Sequence, residues 1–450
     1  MKTERQKRQN RRKYFLISIL CFLVFCMCLV WLRLISFVAG EARPLQLRRT
    51  QIVEADRIRY WKNFKELKDS LVHIPKVSID SGKYVTFEDD TGGWNNIRMA
   101  LEVFVVVAKV TDRILVLPPR VKFYLLDTGP ISAFEKDKSK RGTSSYDDYF
   151  DFQVLQRTLQ VITTEEFIAR EATSLKIPLD VLAGVEKVVS NGHHTPYFLW
   201  LRDSVDSVIW PSGPAVKTDF TLALGSNVHP EKKILHFPMH VSKNLRYLSG
   251  VMPLIRGLAL DYQRAVKHFV TSSLVYSKDI YRYAEAYIKC LNGTGSYFSI
   301  HIRRNELQYK NAFSPAQDSI NNIRSLIHHS KMIYLATDEN SEDYFQAFRQ
   351  SGMKYVTMKD LRYQVNQMLG EAIHPKYEGM VEQLICASGR MFVGTRFSTY
   401  SAHIMRLRKI IFRGDAPCLY HTVRYGTLAD VSTASCSTGN FVDEVNMGFY

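Results

Sequence analysis

The sequence predicts an α/β protein with two domains behind a single membrane-spanning helix. Three features predict it. Lys83–Leu117 reads as strand, glycine turn, helix, strand. The same rhythm returns from Tyr297 to Ile404. Near the N-terminus, Phe15–Leu32 runs for 18 residues without a charge. Alternating apolar strands joined by helices make a parallel sheet, and 18 apolar residues are just enough to cross a bilayer as a helix.

From the N-terminus, Lys2, Arg5, Lys7, Arg8, Arg11, Arg12 and Lys13 against Glu4 leave a net +6 on residues 1–13. Cations before the apolar run and few close behind it keep the N-terminus cytosolic by the positive-inside rule. The span, residues 14–38, is longer than a signal-peptide core, although Val38-Ala39-Gly40 is small enough to be cleaved. The expectation is a retained single-pass type II anchor, with the body of the protein luminal. The whole chain of 450 residues carries +16 and is 46% hydrophobic. Its remaining positive charge is diffuse and forms no nucleic-acid motif, so nucleic acid is not an expected partner. An acidic small ligand suits such a surface better.

Residues 39–82 read as a polar stem. Cys290, Cys386, Cys418 and Cys436 follow the span; four thiols allow three pairings, and Cys418–Cys436 is the preferred disulfide. No Cys-x-x-Cys pair or His/Cys cluster has zinc spacing, and His193-His194 lacks a nearby third ligand. No metal and no cofactor are expected. Asn292-Gly293-Thr294 is a glycosylation sequon, and Asn292 would be modified in a lumen.

An N-terminal domain is expected over 83–250. Lys83–Phe87 is a strand, Glu88-Asp89-Asp90-Thr91-Gly92-Gly93-Trp94-Asn95-Asn96 a turn, Ile97–Val110 an apolar helix with Arg98 and Glu102 on its polar side, and Ile114–Leu117 a strand. Gly92 and Gly93 let backbone approach a ligand, and the helix start behind them favours an anion; taken alone, the two glycines favour an ordinary turn with a helix cap. Thr163/Thr164 opens a capped helix, and Asp147-Asp148 reads as an isolated surface pair.

A second domain is expected over 251–412, with a tail at 413–450. Its first strand, Tyr297–Ile302, runs into Arg303 and Arg304. Arginine forks at a strand's carboxyl end match phosphate oxygens in pairs, and His301 precedes them. Lys331–Ala336 is a buried strand ending at Asp338, placed to accept hydrogen bonds from a base or ribose. Gly379–Ser388 is a helix and Arg390–Val393 a strand. Gly394–Ser401 is a polar turn whose Ser398 and Thr399, at a helix start, can donate to phosphates or simply cap the helix.

His301-Ile302-Arg303-Arg304, Ala336-Thr337-Asp338 and VEQLICASGRMFVGTRFSTYSAHI (381–404) stand in one order. With GGWNNIRMALE, ILVLPP and the SSYDDYFD…ITTEEFI region, they resemble the GDP-fucose protein O-fucosyltransferase family over about 83–412, nearest to its thrombospondin-repeat type, with plant O-fucosyltransferase-like proteins also similar. The resemblance implies a GT-B fold, two Rossmann-like domains facing across a cleft, and inverting, metal-independent transfer of fucose from GDP-fucose to a protein Ser/Thr or glycan hydroxyl. It implies Arg303 as the catalytic residue, stabilising charge on the β-phosphate. His301 and Asp338 would hold GDP, Phe397, Ser398 and Thr399 would line the nucleotide and diphosphate, and Gly92, Gly93 and Asn95 would approach from the other domain.

The thrombospondin-repeat enzymes carry a glutamate in the glycine-rich turn that looks like a general base. Here Gly92 or Gly93 stands there; Glu88, Asp89 and Asp90 lie just upstream with Asp90 the candidate substitute, and the alternative is an acceptor-bound group, or a dissociative displacement with late proton loss, that works without a dedicated base. Two other readings stay open: a glycosyltransferase using another nucleotide sugar, and a catalytically silent GT-B binding protein. Localisation is expected in the Golgi membrane, since no KDEL-type tail follows Tyr450, with the ER as the alternative.

Overall fold

The computed structural model describes residues 82–90, 92–124, 126–127, 143–185, 196–209, 229, 231–239, 260–304, 315–324, 332–395, 398–412 and 418–421. The expected anchor, nearly all of the stem, Phe397, His193, His194 and Cys436 lie outside them, as does the side chain of Cys418 and with it the expected disulfide. Among the described residues no helix is long and apolar enough to cross a membrane.

Two five-stranded sheets organise the chain, and every strand pair in both is parallel. The first contains β1 (Tyr84–Phe87), β2 (Ile114–Val116), β3 (Val161–Ile162), β4 (Ser207–Ile209) and β5 (Ile234–Phe237), in the order β3-β2-β1-β5-β4. The second contains β6 (Phe298–Ile302), β7 (Ile333–Thr337), β8 (Tyr355–Val356), β9 (Phe392–Thr395) and β10 (Cys418–His421), in the order β10-β9-β6-β7-β8. β1 and β6 are buried along their whole length, and the polar Ser299 and His301 of β6 are hydrogen-bonded inside. In the second sheet the strand order reverses between β6 and β9. In doubly wound sheets the loops beyond such a switch point diverge and leave a crevice for ligand. β10 corrects the expected boundary at 412: residues assigned to a tail form the edge strand of this sheet.

Among the described residues the helices longer than four residues are α1 (Trp94–Val110), α2 (Thr164–Glu171), α3 (Leu179–Val185), α4 (Pro196–Asp203), α5 (Leu260–Ser273), α6 (Lys278–Cys290), α7 (Ala316–Arg324), α8 (Glu342–Gln350), α9 (Met358–Leu369), α10 (Glu378–Ser388) and α11 (Thr399–Phe412). The cap read at Thr163 is present: its hydroxyl accepts from Glu166 N at 3.2 Å, and Glu166 accepts from Thr163 N at 2.9 Å. α9 has no counterpart in the sequence reading. Its own signals are a Thr357/Asp360 capping box and Gly370 as a left-handed C-cap, φ 71°.

α1 begins at Trp94 rather than Ile97, with extended Gly93 as its N-cap, so Asn95 and Asn96 belong to its first turn. Its expected polar side is not solvated. Arg98 and Glu102 are buried and ion-paired, and Arg406 of α11 donates to Glu102 at 3.0 Å. α11 covers that face, so the charges are neutralised by each other instead of by water. One apolar core runs from β1 and α1 through α6 to α10 and α11. Both sheets lie in one compact unit, residues 55–450.

Candidate active site

The carboxyl end of the second sheet gathers most of the residues singled out from sequence. The switch point puts the end of β6 beside the end of β9. Arg303 N–H donates to the Thr395 hydroxyl at 3.0 Å, and that hydroxyl donates to the carbonyl of His301 at 2.8 Å. His301 is buried, with Nδ1 2.7 Å from Ser401 Oγ and its ring centroid 4.6 Å from that of Tyr400. Burial first, then the Arg303 charge, push its imidazole down to about 3, so it is neutral.

Arg304 is committed to the protein: Nε lies 2.6 Å from Glu339, the guanidinium sits 4.7 Å over the Tyr344 ring, and the backbone N–H donates to Asp338 Oδ1 at 2.7 Å. This corrects the reading of a double cationic fork. It also gives Asp338 a structural task, because one of its oxygens fixes the turn after β6.

Beyond β9, Ser398 precedes the first residue of α11. Its side chain is buried, and its hydroxyl has no hydrogen-bond partner among the described residues. Its hydroxyl therefore does not cap the helix. A buried unmatched hydroxyl beside free helix N–H groups suits an anion. Thr399 Oγ1 reaches Asn96 Oδ1 at 3.4 Å, so the N-terminal turn of α11 meets that of α1. The positive ends of two helices converge there, and Gly93, the N-cap of α1, is three residues away from the contact.

Asn95 is drawn elsewhere. Its Oδ1 accepts from Gln383 Nε2 at 3.0 Å and from Arg98 Nε at 3.4 Å, and Gln383 in turn accepts from Tyr276 OH at 3.0 Å. It joins α1 to α10 rather than facing a ligand. The three acids before the glycine turn, Asp90, Asp89 and Glu88, are all buried, and the most enclosed is Glu88. Arg202 donates to it at 2.7 and 2.6 Å, Met239 N–H at 3.1 Å, and His236 Nε2 lies 3.2 Å away. Asp90 Oδ1 accepts from Gly92 N–H at 2.6 Å, which shapes the turn. Of the Asp147-Asp148 pair, Asp147 is exposed as read, but Asp148 is not. Asp148 is mostly buried and accepts from Arg120 at 2.6 Å, with Lys376 Nζ 3.9 Å away. Asn292 is exposed in a left-handed turn, φ 65°, between α6 and β6.

A cavity of about 500 Å³ opens beside β7, bounded by residues of β7, α8, α9, α10 and the loops between them, including Thr337, Asn340, Thr357, Lys359 and Glu382. Glu382 escaped the sequence reading because it sits inside the apolar helix run GMVEQLICAS. It accepts from Tyr334 OH at 3.1 Å and Tyr400 OH at 3.3 Å. Burial, with Glu378 and Asp338 adding repulsion, raises its carboxyl to about 7 against the tyrosine hydrogen bonds. A carboxyl poised near neutrality in a cleft is a candidate functional group. Among the described residues no group of three or more His, Cys, Asp or Glu is arranged to hold a metal ion.

Residues 84–411 match the GDP-fucose protein O-fucosyltransferase family. The chain belongs to that family. It is a glycosyltransferase, as the sequence resemblance anticipated. No curated protein sequence matches the chain significantly. Among solved structures, the chain is similar to POFUT1 in complex with GDP-fucose at 13% identity, covering 77% of this chain and 99% of that one, TM-score 0.42. It is similar to a variant of Arabidopsis thaliana FUT1 in complex with GDP at 11% identity, covering 81% and 76%, TM-score 0.44. It is also similar to the fucosyltransferase NodZ from Bradyrhizobium at 13% identity, covering 75% and 94%, TM-score 0.40.

Proposed function

We propose that this family member transfers fucose from GDP-fucose to a hydroxyl of a protein or glycan acceptor, with inversion and without a metal ion. The observation that carries the proposal is the convergence of Arg303, the buried unmatched Ser398 hydroxyl and the N-terminus of α11 at the switch point of the second sheet. The two halves act as the facing domains of a GT-B enzyme, with Gly92 and Gly93 approaching the donor from the first. The guanine lies in the cavity beside β7. Guanine offers adjacent N1–H and exocyclic NH₂ donors, and the Glu382 carboxylate accepts them, whereas uracil offers a single ring N–H. Asp338, whose Oδ1 also holds the Arg304 N–H, supports the ribose. The diphosphate sits at Ser398, Thr399 and the helix start, with Arg303 against its β-phosphate.

In the reaction the C1–oxygen bond to the β-phosphate breaks, and its electron pair passes to the phosphate oxygen. Arg303 stabilises that charge as it develops. The acceptor oxygen forms the new bond to C1 from the opposite face and loses its proton. Asp90 is the carboxylate assigned to take it, because Glu88 is enclosed by Arg202 and His236. The charge-free run Phe15–Leu32 behind a basic tail supports a type II anchor, with catalysis in the Golgi lumen. The test is GDP release from GDP-fucose by the full chain in EDTA, compared with Arg303→Lys. Turnover that persists in EDTA and falls steeply in the variant supports the mechanism. Turnover abolished by EDTA, or unaffected by the substitution, refutes it.

A further inference from the structure

Beneath Arg303 lies a set of hydroxyls that the donor reading alone does not use. Ser401, fully buried in the first turn of α11, accepts the N–H of Thr395 at 2.9 Å and lies 2.7 Å from His301 Nδ1. The Thr395 hydroxyl is occupied in both directions, donating to His301 O and accepting from Arg303 N–H. This closeness depends on Gly394. A Cβ there would stand 2.8 Å from the Ser401 Cβ and 2.9 Å from its Oγ, inside any real contact.

A serine hydroxyl has one hydrogen and two lone pairs. One lone pair of Ser401 is taken by the Thr395 N–H. If the imidazole donated from Nδ1, it would take the second, and the serine hydrogen would be buried without an acceptor among the described residues. If the serine donates to Nδ1, every group is matched. Which imidazole nitrogen carries the proton is set by the partner of the other.

We propose that Ser401 is a positioning residue for donor binding: it donates to His301 Nδ1, holds the imidazole proton on Nε2, and so makes His301 a neutral Nε2–H donor to an oxygen of the sugar nucleotide. Thr395 fixes the Arg303 backbone in the same move. The ligand half of this inference rests on the donor reading above; the tautomer half does not.

The experiment is solid-state ¹⁵N spectroscopy of the histidine-labelled full chain, with the His301 signals assigned by difference from His301→Asn, beside calorimetric titration with GDP. The wild-type protein is expected to show a protonated Nε2 and a bare Nδ1 at His301. In Ser401→Ala, still folded by its melting transition, the proton redistributes onto Nδ1 and GDP binding weakens about tenfold, the loss of one hydrogen bond. A wild-type His301 protonated at Nδ1, or a Ser401→Ala spectrum identical to wild type, overturns the proposal. A wild-type chain that binds no GDP overturns the donor reading and the ligand half with it, while the spectra still judge the tautomer.

Discussion

At the scale of single residues, the site separates groups that look alike in sequence. Arg303 and Arg304 are adjacent and equally charged, yet Glu339 and Tyr344 hold the second. Arg303→Lys is expected to lower turnover by about 10²–10³-fold, as for loss of a charge-stabilising donor, whereas Arg304→Lys acts mainly on stability; steady-state kinetics and melting curves read the two apart. Asp90→Asn is expected to cost roughly 10²-fold in kcat, the lower range for a general base; an unchanged kcat would remove Asp90 from the mechanism. Glu382 carries a pH prediction. Its carboxyl is raised to about 7 from 4.5, so between those values the folded protein binds the proton more tightly than the unfolded chain. The apo protein therefore loses stability as pH rises through that window, by an amount on the order of 3 kcal/mol. Glu382→Gln flattens this slope in denaturation curves taken from pH 5 to 8. GDP binding has the opposite sign, because the ionised carboxylate accepts the base, so affinity rises across the same window and becomes pH-independent in the variant.

At the scale of elements, the seam between α1 and α11 decides how the halves meet. Glu102 neutralises Arg98 and Arg406 in an enclosed position. Glu102→Ala strands two cations and is expected to destabilise by about 3–5 kcal/mol in chemical denaturation; a loss below about 1 kcal/mol would mean that the seam admits water. β1, β2, β6, β7 and β9, with α1 and α10, were legible from the chain because their apolar residues cluster and their ends carry Gly, Pro or Asp, whereas β4 and β10 were not read. α9 was also written in the sequence, with Met358, Leu361, Val365 and Leu369 on one stripe between a capping box and Gly370, but its many polar residues dilute that stripe. The burial of Arg98 and Glu102 was not legible. Charges three or four apart on a helix are usually solvated, and the partner that encloses them arrives from a helix about 300 residues later. Glu382 escaped for a related reason, since its meaning comes from Tyr334 and Tyr400, which are far from it in sequence or on another helix.

At the scale of the whole molecule, two parallel sheets in one unit place the site at the switch point between β6 and β9, and the strand order there explains why residues near 301, 338 and 398 converge. That convergence follows the order of the motifs, whereas the tie of Asn95 Oδ1 to Gln383 of α10 was not read from the sequence. The central claim is a metal-free guanine-nucleotide site on this scaffold. Calorimetric titration of the full chain with GDP and with UDP, both in EDTA, tests it most directly. The account predicts saturable binding of GDP and none of UDP at the same concentrations, with the GDP signal weakened in Glu382→Gln. Equal binding of both nucleotides, or of neither by the folded chain, would contradict it.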